Sequence, residues 1–433
     1  MTPPYVRIAE LEPHAGKTVR VRGWVTHLRS SGKVAFIVMR DGSGVLQCVL
    51  VKSSLPAEAW ERFAGLTQET TIEVTGEVRP DARAPGGFEM GVSDLLVTGP
   101  SPIDYPIQPK EHGIDFLLDN RHLWLRSERQ RAIARVRHEA EQAIRDFFYE
   151  RDFTLVDTPI LTAAIGERSG LFSTEYFDEG TAYLAQTGQL YGEAAAAALG
   201  KIYCFGPTFR AEKSKTRRHL SEFWMIEPEV AFNDSNDNMR LQEEFVSYIV
   251  QRVLERRPEE LKILERDTSK LETVVAPFPR INYTDAVKIL LEKGSTVKWG
   301  DDLGAEDESL LVEGHDRPVF IYNYPKEAKA FYMKENPEDP RTVLCDDLLA
   351  PEGYGEIIGG SQREDDFDRL LHRIHEEGLP VDAYTWYLDL RKYGTFVHAG
   401  FGLGLERTVS WICGLPHLRE AIAFPRMMHR LRP

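Results

Sequence analysis

Arg210 and Glu212, followed by Lys213, Lys215, Arg217, Arg218 and His219, crowd one short stretch of the chain just ahead of Phe223. Guanidinium forks bind phosphate oxygens two at a time, so such a cluster suits a polyanionic ligand. A second dense stretch carries Asp346 and Asp347, then Gly353, Gly355 and Glu356. Carboxylates at the two ends of a hairpin-like run can converge on a hard cation, and beside phosphates Mg²⁺ is the usual one. The glycines let backbone approach a ligand closely. A third stretch, His398 to Arg407, reads HAGFGLGLER and leads into a helical face of Leu405, Val409 and Ile412 that Gly414 would end. Arg407 falls in the first turn, where the helix dipole favours anions. A cation belongs there when it and the helix N-terminus hold one anionic ligand between them.

The elements that must position these groups are legible around them. Phe205, Gly206 and Pro207 precede the basic cluster and Phe223 to Ile226 follow it, which predicts two antiparallel strands joined by a long charged loop. Upstream, Ile133, Val136, Ala140, Ile144 and Phe147 recur at helical steps within Ser127 to Arg151, with Ser127 as N-cap. Phe153 to Val156 then runs as a strand toward Pro159, and Ala194 to Ala198 falls in a further helix. Asp301 to Asp316, with seven carboxylates, reads as a surface insertion and not as part of a site.

The first hundred residues read differently. Val19 and Val21 alternate with Arg20 and Arg22, and Gly23-Trp24 breaks the period as a bulge would. Val34 to Met39, a turn at Asp41-Gly42-Ser43-Gly44 and Val45 to Val51 make a hairpin, and Ile72 to Val78 alternates again. About five short strands in this length suggest a small closed barrel of the OB-fold kind. Its middle hairpin carries Phe36 and Gln47, with Arg29 just upstream. An aromatic that stacks a base beside an amide that reads its edge is how such barrels hold single-stranded RNA. Alternation alone favours Phe36 in the core and Gln47 as a surface amide.

Composition sets the bounds. A chain of 433 residues predicts two or three domains. A net charge of -15 argues against a protein that coats nucleic acid non-specifically, while leaving room for a locally basic surface that docks one folded RNA. Cys48, Cys204, Cys345 and Cys413 lie far apart without metal-ligand spacing, as in a reducing cytosol. The opening MTPPYVRIAEL has no basic stretch followed by an apolar one, and no apolar run is long enough for a bilayer. A cytoplasmic protein without membrane contact is expected.

The stretch ending at Pro159, the segment FRAEKSKTRRHLSEFWMIEPE and the segment GFGLGLER together resemble the three signature motifs of the class II aminoacyl-tRNA synthetases. The N-terminal barrel is similar to the anticodon-binding domain of the aspartyl, asparaginyl and lysyl subgroup. The resemblance implies an α+β chain: an OB-fold anticodon-binding domain over 1–100, a linker over 101–120 and a catalytic domain over 121–433, an antiparallel sheet flanked by helices. It implies a homodimer with Pro159 at the two-fold interface, and ATP and Mg²⁺ as cofactors. By resemblance Arg210 bridges the α-phosphate and the attacking carboxylate, Glu212 reads the adenine amino group or orders the loop, and Phe223 stacks on the ring. His219 and Arg407 hold the γ-phosphate end beside Gly404, and Asp347 and Glu356 carry the metal. Related enzymes often have a serine where this chain has Gly359. On the barrel, Arg29, Phe36 and Gln47 would meet the anticodon.

The same resemblance bears on the amino acid. Glu167 and Gln189 would hold the α-amino group and Arg363 the side-chain oxygen. Aspartate-specific relatives place a lysine after the Gln-Leu-aromatic element, whereas here Gln189-Leu190-Tyr191 is followed by Gly192. They also carry aspartate where this chain has Glu227, whose longer carboxylate can accept from an amide NH₂ or pair with Arg363. Losing a cation and extending an anion both favour L-asparagine. The expected activity is therefore ATP-dependent activation of asparagine and its transfer to the 3′ end of tRNA(Asn). The alternatives are a relaxed aspartate enzyme and a synthetase-like paralogue that makes asparagine.

Overall fold

Strict alternation in the N-terminal strands turns every second side chain inward and closes the strands on one another. In the computed structural model, which describes residues 2–163, 165–166, 170–213 and 218–433, these strands are β1 (Thr18–Ser31), β2 (Val34–Arg40), β3 (Val45–Val51), β4 (Thr71–Pro80) and β5 (Phe88–Gly99). They form a closed barrel in the order β1-β2-β3-β5-β4. Val19, Val21, Ala35, Ile37, Leu46, Cys48, Ile72 and Val74 are fully buried inside it. The turn between β2 and β3 is set by Asp41, whose carboxylate accepts from the N–H groups of Ser43 and Gly44 at 2.8 and 3.0 Å.

The irregularity in β1 lies two residues beyond the expected place, between Val25 and His27, and Gly23 and Trp24 pair in regular register. Gly23 has another purpose. A Cβ there would be driven into the carbonyl oxygen of Arg40, so glycine permits the close approach of β1 and β2.

The barrel lies within one unit, Met1–Ile114, and a second unit spans Asp115–Pro433. In the second unit β7 (Leu161–Thr162), β9 (Thr181–Leu184) and β8 (Ser173–Glu175) form a small sheet in that order. The remaining strands are β6 (Thr154–Leu155), β10 (Lys201–Phe209), β11 (Glu222–Ala231), β12 (Arg280–Asn282), β13 (Val319–Tyr322), β14 (Cys345–Ala350), β15 (Gly355–Gln362) and β16 (His398–Gly404). They form one sheet in the order β12-β13-β14-β15-β16-β11-β10-β6. Its six central strands are antiparallel, as expected, while the edge strands β6 and β12 pair in parallel.

The charged segment expected between two strands does join β10 to β11, which run antiparallel from Lys201↔Val230 to Phe209↔Glu222. One face of the sheet is covered by the Glu128–Tyr149 and Ser235–Arg256 helices. Phe147, Phe148, Phe245 and Ile249 pack there with Ile358, Phe401 and Leu403. Ser127 caps the first of these helices, accepting from the Gln130 N–H at 3.3 Å. All four cysteines are buried and unpaired. Among the described residues no helix is long and apolar enough to cross a membrane.

Gly23→Ala is expected to destabilise the barrel by about 2–3 kcal/mol through overpacking against backbone. Amide hydrogen exchange of the full chain would register it as faster exchange confined to β1, β2 and β4.

Candidate active site

The sheet face opposite the helices is a groove. Alternation places Phe223, Met225, Glu227 and Glu229 of β11 on one side of that strand, and its neighbour β16 meets them with glycines: Met225 pairs with Gly404 and Glu229 with Gly400. A Cβ at Gly400 would enter the Glu229 carboxylate, and one at Gly402 would strike the end of Met225. The floor therefore lacks side chains so that those of β11 can lie across it.

At one end of the groove a cavity of about 80 Å³ is lined by Arg210, Glu212, His219, Phe223, Glu356, Gly404 and Arg407. All seven were singled out for nucleotide binding, although they come from three distant stretches. The Arg210 guanidinium carbon lies 5.4 Å from the centre of the Phe223 ring. Its buried Nε has no hydrogen-bond partner, a donor left over for a ligand. His219 Nε2 stands 3.7 Å from Glu212. Burial lowers the pKa of His219 and Arg407 lowers it further, against the pull of Glu212. Arg407 donates to the carbonyl oxygen of Glu356 at 2.8 Å and comes within 3.6 Å of its carboxylate. Burial pushes the Glu356 carboxyl up, but Arg407, Lys329 and Arg210 outweigh it and hold the group below the usual carboxylate range.

Asp347 joins Glu356 from the adjacent strand. A Cβ on Gly359 would stand 3.0 Å from Glu356 Oε1 and 3.7 Å from Asp347 Oδ1, so the two carboxylates converge over that glycine. Two carboxylates aimed at one point fit a hard divalent cation. Lys329 pairs with Asp347 at 2.6 Å. Burial, opposed by Lys329 and reinforced by Glu356, pushes Asp347 up to about 6. Asp346 faces the other side of the sheet, where it accepts from Gln242 at 2.6 Å.

The acidic segment from Asp301 to Asp316 is more than a surface insertion. The Ala305–Val312 helix buries Leu311 and Val312, which turns Glu308 inward to within 3.4 Å of Arg218. Burial, with Glu356 adding to it, raises Glu308 to about 7. The signal was present in the sequence: Leu311 and Val312 follow Glu308 by three and four residues, on the same helical face. Lys329 carried no comparable signal.

At the other end of the groove Glu227 is buried and accepts from the Thr187 hydroxyl and, at 2.8 Å, from the Gly188 N–H. Burial raises its pKa in spite of these donors. The partner of Arg363 is Glu229 and not Glu227. Arg363 Nε and Nη2 reach the two Glu229 oxygens at 3.0 and 2.9 Å, and Nη1 donates to Ser361 at 2.7 Å. Register is the reason: Ser361 and Glu229 both pair with Gly400, from opposite sides of β16.

Gln189 opens the Gln189–Leu199 helix and donates to Glu193 at 3.1 Å. Gly192 sits in the same turn, where a Cβ would stand 3.3 Å from Ile202, 3.9 Å from Cys204 and 4.0 Å from the Glu229 Cβ, and as a glycine it brings no cation beside Glu229. Glu167, like Lys215 and Arg217, lies outside the described residues.

Arg29, Phe36 and Gln47 belong to the barrel unit and form a cluster of their own. The Arg29 guanidinium lies 4.3 Å over the Phe36 ring and donates to Gln47 at 3.0 Å. Alternation places the ring and the amide on the outside of the barrel, since Ala35, Ile37, Leu46 and Cys48 fill the inside.

The chain matches two family models, tRNA synthetases class II (D, K and N) over residues 113–428 and OB-fold nucleic acid binding domain over 19–98. It is 56% identical to the asparagine–tRNA ligase of Sorangium cellulosum, covering 99% of both chains. Its fold is similar to asparaginyl-tRNA synthetase from Pyrococcus horikoshii complexed with asparaginyl-adenylate, with a TM-score of 0.96 and 48% identity over 99% of each chain. It is also similar to the Entamoeba histolytica asparaginyl-tRNA synthetase in complex with asparaginyl-adenylate, at TM-score 0.91 and 33% identity over 100% of both.

Replacing Arg363 by Met would leave Glu229 buried without its cation, and a loss of about 3–5 kcal/mol is expected. Urea unfolding of the full chain would show it as an earlier transition, with faster amide exchange concentrated in β11 and β16.

Proposed function

Because the chain belongs to the class II tRNA synthetases of the aspartate, lysine and asparagine group, we propose that it is an asparagine–tRNA ligase that makes asparaginyl-adenylate from ATP and passes the amino acid to tRNA(Asn). The observation that carries the choice of amino acid is the blind end of the groove. There the Glu227 carboxylate is buried on the β11 side that carries Glu229, Arg363 is already paired with Glu229, and Gly192 supplies no cation. An amide satisfies such a place with both a donor and an acceptor, whereas a second carboxylate meets repulsion.

Activation needs no general base, since the α-carboxylate of asparagine is already a nucleophile, and in the transfer step the hydroxyl proton can leave with the departing AMP phosphate. One of its oxygens attacks the α-phosphorus of ATP, the bond to the bridging oxygen breaks, and pyrophosphate leaves. A hydroxyl at the 3′ end of the tRNA then attacks the adenylate carbonyl, giving the ester and AMP. Catalysis is positioning and charge neutralisation. Phe223 stacks on the adenine, with Glu212 near its amino group. Arg210, its Nε unengaged, bridges the α-phosphate and the incoming carboxylate. His219 and Arg407 hold the terminal phosphate beside Gly404. Asp347 and Glu356 would hold Mg²⁺, which when bound screens the phosphate charge. Gln189 and Glu167 bind the α-amino group, while Arg363 and Glu227 bind the side chain.

The barrel contributes the anticodon contact. A half-buried Phe36 ring with Arg29 stacked on it offers a base a place to stack, and Gln47 offers an amide to read its edge. The enzyme works as a homodimer with Pro159 at the interface.

Pyrophosphate exchange should proceed with asparagine and at least about a hundredfold less efficiently with aspartate. Exchange driven by aspartate alone would overturn the assignment. Phe36→Ala should weaken charging of tRNA(Asn), raising the KM for tRNA about tenfold or more, and leave asparagine-dependent exchange unchanged.

A further inference from the structure

Behind the blind end of the groove lies a group of buried charges that the reaction does not use. Glu193 has no exposed surface, and its carboxylate is met by four side chains. Tyr387 donates its hydroxyl at 2.7 Å, Arg391 Nη2 lies at 2.7 Å, His398 Nε2 at 3.0 Å and Gln189 Nε2 at 3.1 Å. A ligand atom of Glu193 and one of Glu229 lie within 4.8 Å of each other and of His398. Glu229 in turn holds Arg363. Two carboxylates thus face two guanidinium groups and the His398 ring, directly behind the residues that meet the substrate side chain.

We propose that Glu193 is a specificity-determining positioning residue: by neutralising Arg391 it keeps the ground behind Arg363 free of surplus positive charge, so that aspartate gains nothing over asparagine. The inference rests on the asparagine reading. A buried guanidinium without a partner acts over several ångströms through a poorly screening interior, and it would reward a carboxylate side chain much as a lysine in the groove would. Glu193 also holds Gln189, so the same carboxylate ties the readers of the amino group and of the side chain to one network.

The test is pyrophosphate exchange by the full chain, with kcat/KM measured for asparagine and for aspartate. Glu193→Gln leaves Arg391 uncompensated and is expected to lower the asparagine-to-aspartate ratio about tenfold or more, mainly through the KM for aspartate. Arg391→Met leaves Glu193 uncompensated and is expected to raise the ratio. The double variant removes both charges and should return the ratio to within about threefold of the unmodified chain, although it deletes the most contacts. Opposite signs in the two single variants are what a charge effect requires and what loosened packing cannot produce. If one single variant fails to fold, the other is read against the double variant: a shift that the second substitution reverses supports the charge effect, and one that it deepens or leaves overturns it. Shifts of the same sign, or no shift, overturn the proposal and leave Glu193 as scaffold. A chain that prefers aspartate before any substitution overturns the asparagine reading instead.

Discussion

The groove exists because β16 has no side chains where β11 needs room. Gly400 and Gly402 lie under Glu229 and Met225, and any Cβ would collide with them. The consequence is electrostatic as well as steric. A methyl group at Gly400 would push Glu229 off Arg363, and each of the two buried charges would lose the partner that makes its burial tolerable. The Arg363 donors would then no longer face the blind end. The Glu193 network behind it would lose the balance between its two carboxylates and two guanidinium groups. The cavity at the other end depends on the same strand pair, since Met225 and Gly404 line it with Phe223.

The structure separates permanent ion pairs from groups kept available. Arg363 meets Glu229 through two of its nitrogens and Arg391 meets Glu193 through one, and both guanidinium groups are held in place by these buried pairs. Arg210 stands against the Phe223 ring with a bare Nε, and Arg407 is tethered through a carbonyl oxygen with its charge only loosely met. The first kind of arginine gives shape, and the second kind keeps positive charge available at the cavity. Such a division suits a reaction whose demands are orientation and neutralisation, because groups already in place need no reorganisation when charge develops.

Much of this was legible in the sequence, for unequal reasons. Arg210, Glu212, His219, Phe223, Glu356 and Arg407, which line one cavity, stood out because charged and aromatic residues beside closely spaced glycines mark where backbone must come close to a ligand. The barrel was legible because alternation in β1 to β3 leaves one pattern of inward residues. Glu308 was hidden in a run of acids, where composition suggests a solvated surface and only the offset to Leu311 and Val312 betrays the inward face. The partner of Arg363 was hidden too. Glu227 and Glu229 share one side of β11, and only the register through Gly400 says which of them is level with the arginine. Long-range register of that kind has no local signature.

Strand order also bears on how the chain is made. The barrel is complete once Gly99 has left the ribosome, and it can close early. The floor of the groove cannot, because β11 waits for a neighbour that begins at His398. Until then β11 offers an open hydrogen-bonding edge and a row of acids without their cations, the sort of intermediate that pairs with the wrong strand or recruits a chaperone.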